Sequence, residues 1–298
     1  MVNFMDLKYN VVDNKYTNVI QVLKQEFSIS SRLYLKLKNA NQIFVNGEPL
    51  SYSNENIQIN DIIEVDLKFV ENNSNIVPTK MDLDILYEDE YLLIVNKPAG
   101  FAIHPSLRHY ETSISNGVKY YYDSINLHRK IRIVNRLDKD TSGIVIFAKN
   151  EYVQECLVKQ MKNNIFEKKY IAFIEGHLPQ KEGSIYEPIA RKQNSIIERC
   201  VDENGDMSIT HYRVLQSNLE KNIDIVECRL ETGRTHQIRV HFSYIGHPLL
   251  GDTLYGESSN LINRQALHAY KVSFIHPITK NILEIETEIP DDMKDILK

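Results

Sequence analysis

The chain has 298 residues, 42% of them hydrophobic and 25% charged, with a formal net charge of −5. That is ordinary globular usage with enough length for a sizeable core, and no apolar run is long enough for a helical membrane span, which excludes a chain built on such spans. The N-terminus MVNFMDLKYN lacks the basic start and apolar run of a secretory signal, and Cys156, Cys200 and Cys228 are odd in number and far apart, so neither a disulfide framework nor a zinc pattern is present and a reducing cytoplasm is expected.

From the N-terminus, Thr17 and Asn18 can cap a helix that carries Val19, Val22, Leu23 and Phe27 on one side. Ser30 and Ser31 can cap a second helix holding Leu33 and Leu37. Residues 43–45 read as a strand, Asn46-Gly47 as a tight turn, and Asn60-Asp61 as a second turn before a strand at 62–65. Two helices, a strand, a Val-Asn-Gly turn and a strand after an Asp turn resemble the alpha-L RNA-binding fold over residues 14–67. Asn41 and Asn60 stand where that module usually has glycine, and asparagine is a common substitute at left-handed positions. The resemblance implies an RNA-binding domain over 14–70, with Arg32, Lys36 and Lys38 as its basic contacts, fewer than is usual. An accessory domain that touches no RNA is the other reading. Residues 71–80, ENNSNIVPTK, are polar and Asn-rich and hold a proline, so they read as a linker to a main domain at 81–298.

In the main domain, short β-prone runs predict strands at 83–87, 91–95, 144–149, 170–175, 223–230 and 271–275. Helices are predicted at 151–162 and 235–245, the second capped by Thr235 and ended by Gly246. Strands outnumber helices and do not alternate regularly with them. This predicts an α+β fold with a mixed, largely antiparallel central sheet. Charge is unevenly spread: ten basic and five acidic residues lie between Arg129 and Lys169, but two basic and six acidic between Asn281 and Lys298. A basic middle suits a nucleic-acid partner despite the acidic total.

Three blocks carry chemistry. In Asn135-Arg136-Leu137-Asp138-Lys139-Asp140-Thr141-Ser142-Gly143, a carboxylate sits in a hydroxyl- and glycine-rich turn before an apolar strand. Hydroxyls and backbone N–H groups can hold it there in one orientation, and the pattern alone suits a turn-closing aspartate as well as a reactive one. In Lys168-Lys169-Tyr170-Ile171-Ala172, a strand would place Tyr170 on one face with Ala172, as a core ring or as the wall of a site. In Thr232-Gly233-Arg234-Thr235-His236-Gln237-Ile238-Arg239-Val240-His241, Arg234 sits just before a helix, well placed to pair with a carboxylate. His236, His241 and His247 invite a metal reading, but their spacing does not put three ligands on one helix face, and no metal is expected.

Further pieces follow in order: Lys97-Pro98-Ala99-Gly100, His104-Pro105, His247-Pro248 with Gly251-Asp252, and Leu267-His268-Ala269. Together the blocks resemble the RluA-type RNA pseudouridine synthases, whose hallmarks are His-Arg-Leu-Asp-x-x-Thr-Ser-Gly, Lys-x-Tyr-x-Ala and Thr-Gly-Arg-x-His-Gln-x-Arg-x-His. The likeness runs from Leu83 to Pro277, and departs from the first hallmark at Asn135, where His is usual. The resemblance implies a pseudouridine synthase fold and isomerisation of uridine within RNA. It makes Asp138 the catalytic aspartate, Arg234 its salt-bridge partner, Tyr170 the ring over the target uracil, and Arg136 the side chain that helps extrude the base. No cofactor is implied. RNA is the implied partner, large-subunit ribosomal RNA the expected class, and a monomer the expected state. A carboxylate at the ribose can attack the sugar or take a proton from it, and the residues leave both open. A glycoside hydrolase would need a second carboxylate facing the first across the sugar, and Asp140 lies in the same turn. A non-catalytic RNA binder would have little reason to keep Asp138, Tyr170 and Arg234 together.

Overall fold

The computed structural model describes residues 5–52, 54–106 and 110–298. The two N-terminal caps form where their side chains predict: Asn18 Oδ1 accepts from Gln21 N at 3.1 Å and Ser30 Oγ from Leu33 N at 3.1 Å. The first helical segment is one turn, Val19–Gln21, that widens into a π-turn at Val22–Glu26. The second is Ser31–Asn39. Their apolar faces, with Val19, Val22, Leu23, Leu33 and Leu37 buried, share a core with Ile43, Ile63 and Val65. Those three belong to a small antiparallel sheet in which Ile62–Val65 lies between Leu7–Asn10 and Ile43–Val45, with Glu48–Pro49 beyond. Asn41, Asn46 and Asn60 have φ of 53°, 54° and 82°, the left-handed positions that favour Gly or Asn.

Segment 71–80 is anchored along its first residues. Glu71 accepts from Lys36 Nζ at 2.8 Å and Arg132 Nη2 at 2.7 Å. Burial would raise the Glu71 carboxyl, but these two hydrogen bonds overcome it and hold its pKa at about 2. Asn73 is buried, bonded to Arg129 O at 2.6 Å and Ile131 N at 2.9 Å. The helix Ser31–Asn39 meets the helix Glu151–Lys162 through Lys36–Glu151 at 3.3 Å, Arg32–Glu151 at 3.4 Å and Ser30–Glu155 at 2.9 Å. Lys36 also lies 4.0 Å over the Phe69 ring. This corrects the reading of Lys36 as an RNA-facing residue, because its charge is committed to two carboxylates where the two units touch. Arg32 reaches the same Glu151 with most of its side chain exposed.

The main sheet runs, in order, Glu182–Tyr186, Ile209–Asn218, Ile223–Leu230, Glu167–Glu175, Leu267–Ile275, Ser142–Ala148, Leu92–Lys97 and Asp84–Glu88. Ile282–Glu286 pairs beside Leu267–Ile275, and Arg132–Ile133 beside Ser142–Ala148. Among the described pairings only Leu267–Ile275 with Ser142–Ala148 is parallel. The fold is α+β with a mixed, largely antiparallel sheet, as the irregular order of predicted strands and helices requires. Its two halves join at that parallel pairing, where His268 faces Ser142 and Ala269 faces Gly143. Gly143 has φ of 116°, and a Cβ there would lie 2.2 Å from the Ala269 carbonyl oxygen. Only glycine fits this register. The reactive turn predicted around Asp138 leads directly into this junction.

Candidate active site

Asn135 decides where the chain leaves the sheet. Its side-chain amide donates to Ile144 O at 2.9 Å and accepts from Ile146 N at 2.9 Å, imitating a strand residue beside Ser142–Ala148. The backbone is thereby released into the loop that carries Arg136 and Asp138. Asn135→Ala would leave a buried donor and acceptor unpaired. We expect it to cost at least about 2 kcal/mol of stability, read from the urea midpoint at unchanged slope; a loss below a few tenths would show that water replaces both bonds.

The rest of the loop is held by its carbonyls. Lys97 Nζ is fully buried and donates to Pro98 O, Phe101 O and Lys139 O at 2.9, 3.0 and 2.8 Å. Burial pushes its pKa down to about 7 against the pull of Asp140 and Asp138, yet three acceptors are matched at once only by the ammonium form. Gly100 N donates to the same Lys139 carbonyl at 3.0 Å, and Thr141 N to Asp138 O at 3.2 Å. Arg264 Nη1 reaches Asp140 O at 3.2 Å. Asp140 is absent from the residues that line the cleft beside Asp138, so it is not the second carboxylate that a glycoside hydrolase needs; Glu231, which does line the cleft, is engaged by His211 Nε2 at 2.6 Å.

The partner of Asp138 differs from the expectation. Arg234 Nη1 lies 3.4 Å from Asp206, and it is Arg239 Nη1 that meets Asp138 Oδ2 at 3.1 Å. Thr235 does not cap the following helix. His236 occupies the cap position with φ of 59°, and the helix is Gln237–Tyr244. The side chain of Gln237 turns back instead, accepting from Arg234 N at 3.0 Å and Thr232 Oγ1 at 2.8 Å. This left-handed step turns Arg239, in the first turn, inward and leaves Arg234 outside. Arg239 is buried and gripped at both ends of its fork by buried Asp252, Nε to Oδ2 at 2.7 Å and Nη2 to Oδ1 at 2.8 Å, with Tyr255 5.1 Å below the guanidinium. It therefore presents its remaining nitrogen to Asp138 in a fixed direction.

His236 approaches the other oxygen of Asp138, Nε2 to Oδ1 at 3.7 Å. Its Nδ1 is 2.8 Å from Tyr255 Oη, which accepts from Arg199 N at 2.8 Å and so has its own proton to give to Nδ1. Burial lowers the His236 pKa and favours the neutral ring. That network assigns the ring proton to Nε2, facing Asp138.

Asp138, Arg136, Tyr170 and Arg234 line one cleft of about 850 Å³, with a smaller recess beside it that adds His236 and Arg239. Tyr170 is buried on its strand, and burial, then the charge of Asp138, raises its pKa, so it stays a neutral phenol. Lys168, two residues earlier on the same strand face, also lines the cleft. Its pKa is lowered by burial, and no carboxylate pairs with it among the described residues. The strand period could have singled out Lys168. Arg32, Lys36 and Lys38 are absent from the cleft. Among the described residues, no group of three or more His, Cys, Asp or Glu converges as metal donors.

A family model described as RNA pseudouridylate synthase matches residues 91–244. The uncharacterized RNA pseudouridine synthase YhcT of Bacillus subtilis is 40% identical over 94% of this chain and 92% of its own. The ribosomal large subunit pseudouridine synthase D of Zymomonas mobilis is 39% identical over 74% of both chains. Among solved structures, human RNA pseudouridylate synthase domain containing 1 shares 27% identity at a TM-score of 0.58, over 70% of this chain and 83% of that one. The chain belongs to the RNA pseudouridylate synthase family, in its RluA type, and is an isomerase that converts uridine in RNA to pseudouridine.

Proposed function

We propose that the chain acts on a uridine of large-subunit ribosomal RNA, with Asp138 working at the ribose, Tyr170 holding the detached uracil and Arg136 standing in the gap left by the extruded nucleotide. The observation that carries this is the Asp138–Arg239–Asp252 chain of ion pairs beside an open cleft of about 850 Å³ that Tyr170 helps to wall. The reaction exchanges a carbon–nitrogen glycosidic bond for a carbon–carbon one, with no net gain or loss of atoms. One oriented carboxylate and an apolar wall for the loose base meet that need. The choice of ribosomal RNA rests on relatives named for the large subunit. Residues 14–70 are read as an alpha-L-like domain joined by 71–80 to the catalytic domain at 81–298. Arg32 and Lys38 are its candidate backbone contacts, which position RNA without reading its sequence. Mapping pseudouridines in ribosomal RNA from cells with and without the protein tests the proposal. A site lost on deletion, restored by the wild type and not by Asp138→Asn, is expected; an unchanged large-subunit map would point to another RNA.

Arg136 is exposed on the rim and, among the described residues, has no carboxylate partner. Extruding a stacked base costs a few kcal/mol, and a planar guanidinium two residues from Asp138 can fill the vacated place. Arg136→Ala should slow single-turnover conversion in a stem–loop more than in a flexible strand carrying the same target, by roughly tenfold or more. Equal losses on both RNAs, with a salt slope lower by about one, would mean a phosphate contact instead.

A further inference from the structure

Beyond the Asp138 cleft lies a groove of about 530 Å³ with its own arginines. It is lined by Arg136, Arg191, Arg199 and Arg234 and holds one acid, Asp206. Arg136 and Arg234 line both spaces, so the groove continues the cleft. Its outer wall is the two-stranded ribbon Ile189–Arg191 and Arg199–Val201.

In that ribbon Arg191 and Arg199 are directly opposed, register partners across the antiparallel pair. Like charges in that relation are destabilising. Among the described residues no carboxylate forms an ion pair with either, although Lys192 beside them pairs with Glu198 at 3.0 Å. The only acid in the groove is 70% exposed and already turned to Arg234. The uncompensated pair is held rigidly. Ile189 and Asp206 exchange backbone hydrogen bonds at 2.9 and 3.0 Å, and a Cβ on Gly205 would fall 2.5 Å from the Ile189 carbonyl carbon. Arg199 N is also the donor to Tyr255 Oη, so the ribbon is tied to the hydroxyl that orients His236 beside Asp138.

We propose that this groove seats backbone phosphates of the RNA strand next to the target uridine, with Arg191 and Arg199 as the phosphate ligands. The proposal rests on the reading of the Asp138 cleft as the uridine site. Anionic oxygens between the two guanidinium groups supply the charge that the protein omits, and the strand passes from cleft to groove between Arg136 and Arg234. Arginine forks suit phosphate oxygens geometrically as well as electrostatically.

The test is binding of unmodified large-subunit ribosomal RNA, transcribed in vitro, as a function of salt. The double variant Arg191→Ala with Arg199→Ala should lose roughly tenfold or more in affinity at low salt, and its slope of log K against log salt should flatten by roughly 1.4–1.8. Arg191→Lys with Arg199→Lys keeps the charges and should keep most of the slope, which separates lost contacts from a damaged ribbon. Asp206→Asn should tighten binding. An unchanged slope and affinity in the alanine variant, equal slope losses in the alanine and lysine variants, or weaker binding by Asp206→Asn would each overturn the proposal. Conversion of uridine by the wild type, assayed on the same RNA, reports separately on the cleft: no conversion there, with the slopes behaving as expected, would count against the site reading and leave the phosphate groove standing.

Discussion

Asp138→Asn is expected to lower pseudouridine formation by at least about 10³-fold, whether the carboxylate adds to the sugar or takes its proton, because an amide does neither. The fold should survive the change. Arg239 keeps both bonds to Asp252 at 2.7 and 2.8 Å, so its charge is not left unpaired when Asp138 loses its own. The asparagine oxygen can still accept from Arg239 Nη1 at the 3.1 Å site. On the other side its NH₂ would face His236 Nε2, and the ring must then give up the tautomer that Tyr255 favours. That mismatch is small beside an uncompensated buried charge, and stability should fall by no more than about 1 kcal/mol. Single-turnover conversion and denaturant unfolding of one preparation measure both effects. Turnover within tenfold of the wild type would remove Asp138 from its role, and a collapse of stability would make the loss of activity uninformative about chemistry.

The reactive turn is legible in the sequence because its residues do local work. Gly143 must be glycine for the strand register, Thr141 and Asp138 close the turn, and the apolar run after them is a fully buried strand. The N-terminal helix caps and the three left-handed asparagines are legible for the same reason. What escapes a sequence reading is settled by distant partners. Lys36 looks like any exposed helix lysine until Glu71 and Glu151 come beside it from 35 and 115 residues away. The strand Ile209–Asn218 is missing from the predicted strands because its alternation, with Thr210, Tyr212 and Val214 on one face, stops at a bulge between Val214 and Gln216, after which the chain is mostly polar and exposed. Leu7–Asn10 is an edge strand of four residues with one buried side chain. The two arginines of the third block are a finer case. Position before a helix favours Arg234, whereas the left-handed His236 decides for Arg239, and a histidine at positive φ carries no sequence signal comparable to glycine.

That substitution of one arginine for another gives the second large effect. Arg239→Ala leaves Asp252, only 1% exposed, without its bidentate partner, and removal of one member of a buried pair costs about 3–5 kcal/mol. It also frees Asp138 from the 3.1 Å bond that orients it. A charge-assisted hydrogen bond is worth about 1.5–3 kcal/mol, so the rate at saturating RNA should fall roughly 10- to 100-fold. Arg239→Ala combined with Asp252→Ala removes the orphaned charge and should recover part of the stability without recovering the rate, which separates orientation of Asp138 from support of the fold. Arg234→Ala should behave differently. Among the described residues its guanidinium pairs only with Asp206, which is 70% exposed, so little stability is at stake. Its loss should appear in RNA affinity more than in rate, with a salt slope lower by about one. Unfolding curves, single-turnover rates and salt-dependent affinities of the three variants decide the matter. A rate defect confined to Arg234→Ala, with Arg239→Ala turning over like the wild type, would return the pairing with Asp138 to Arg234 in the RNA-bound enzyme.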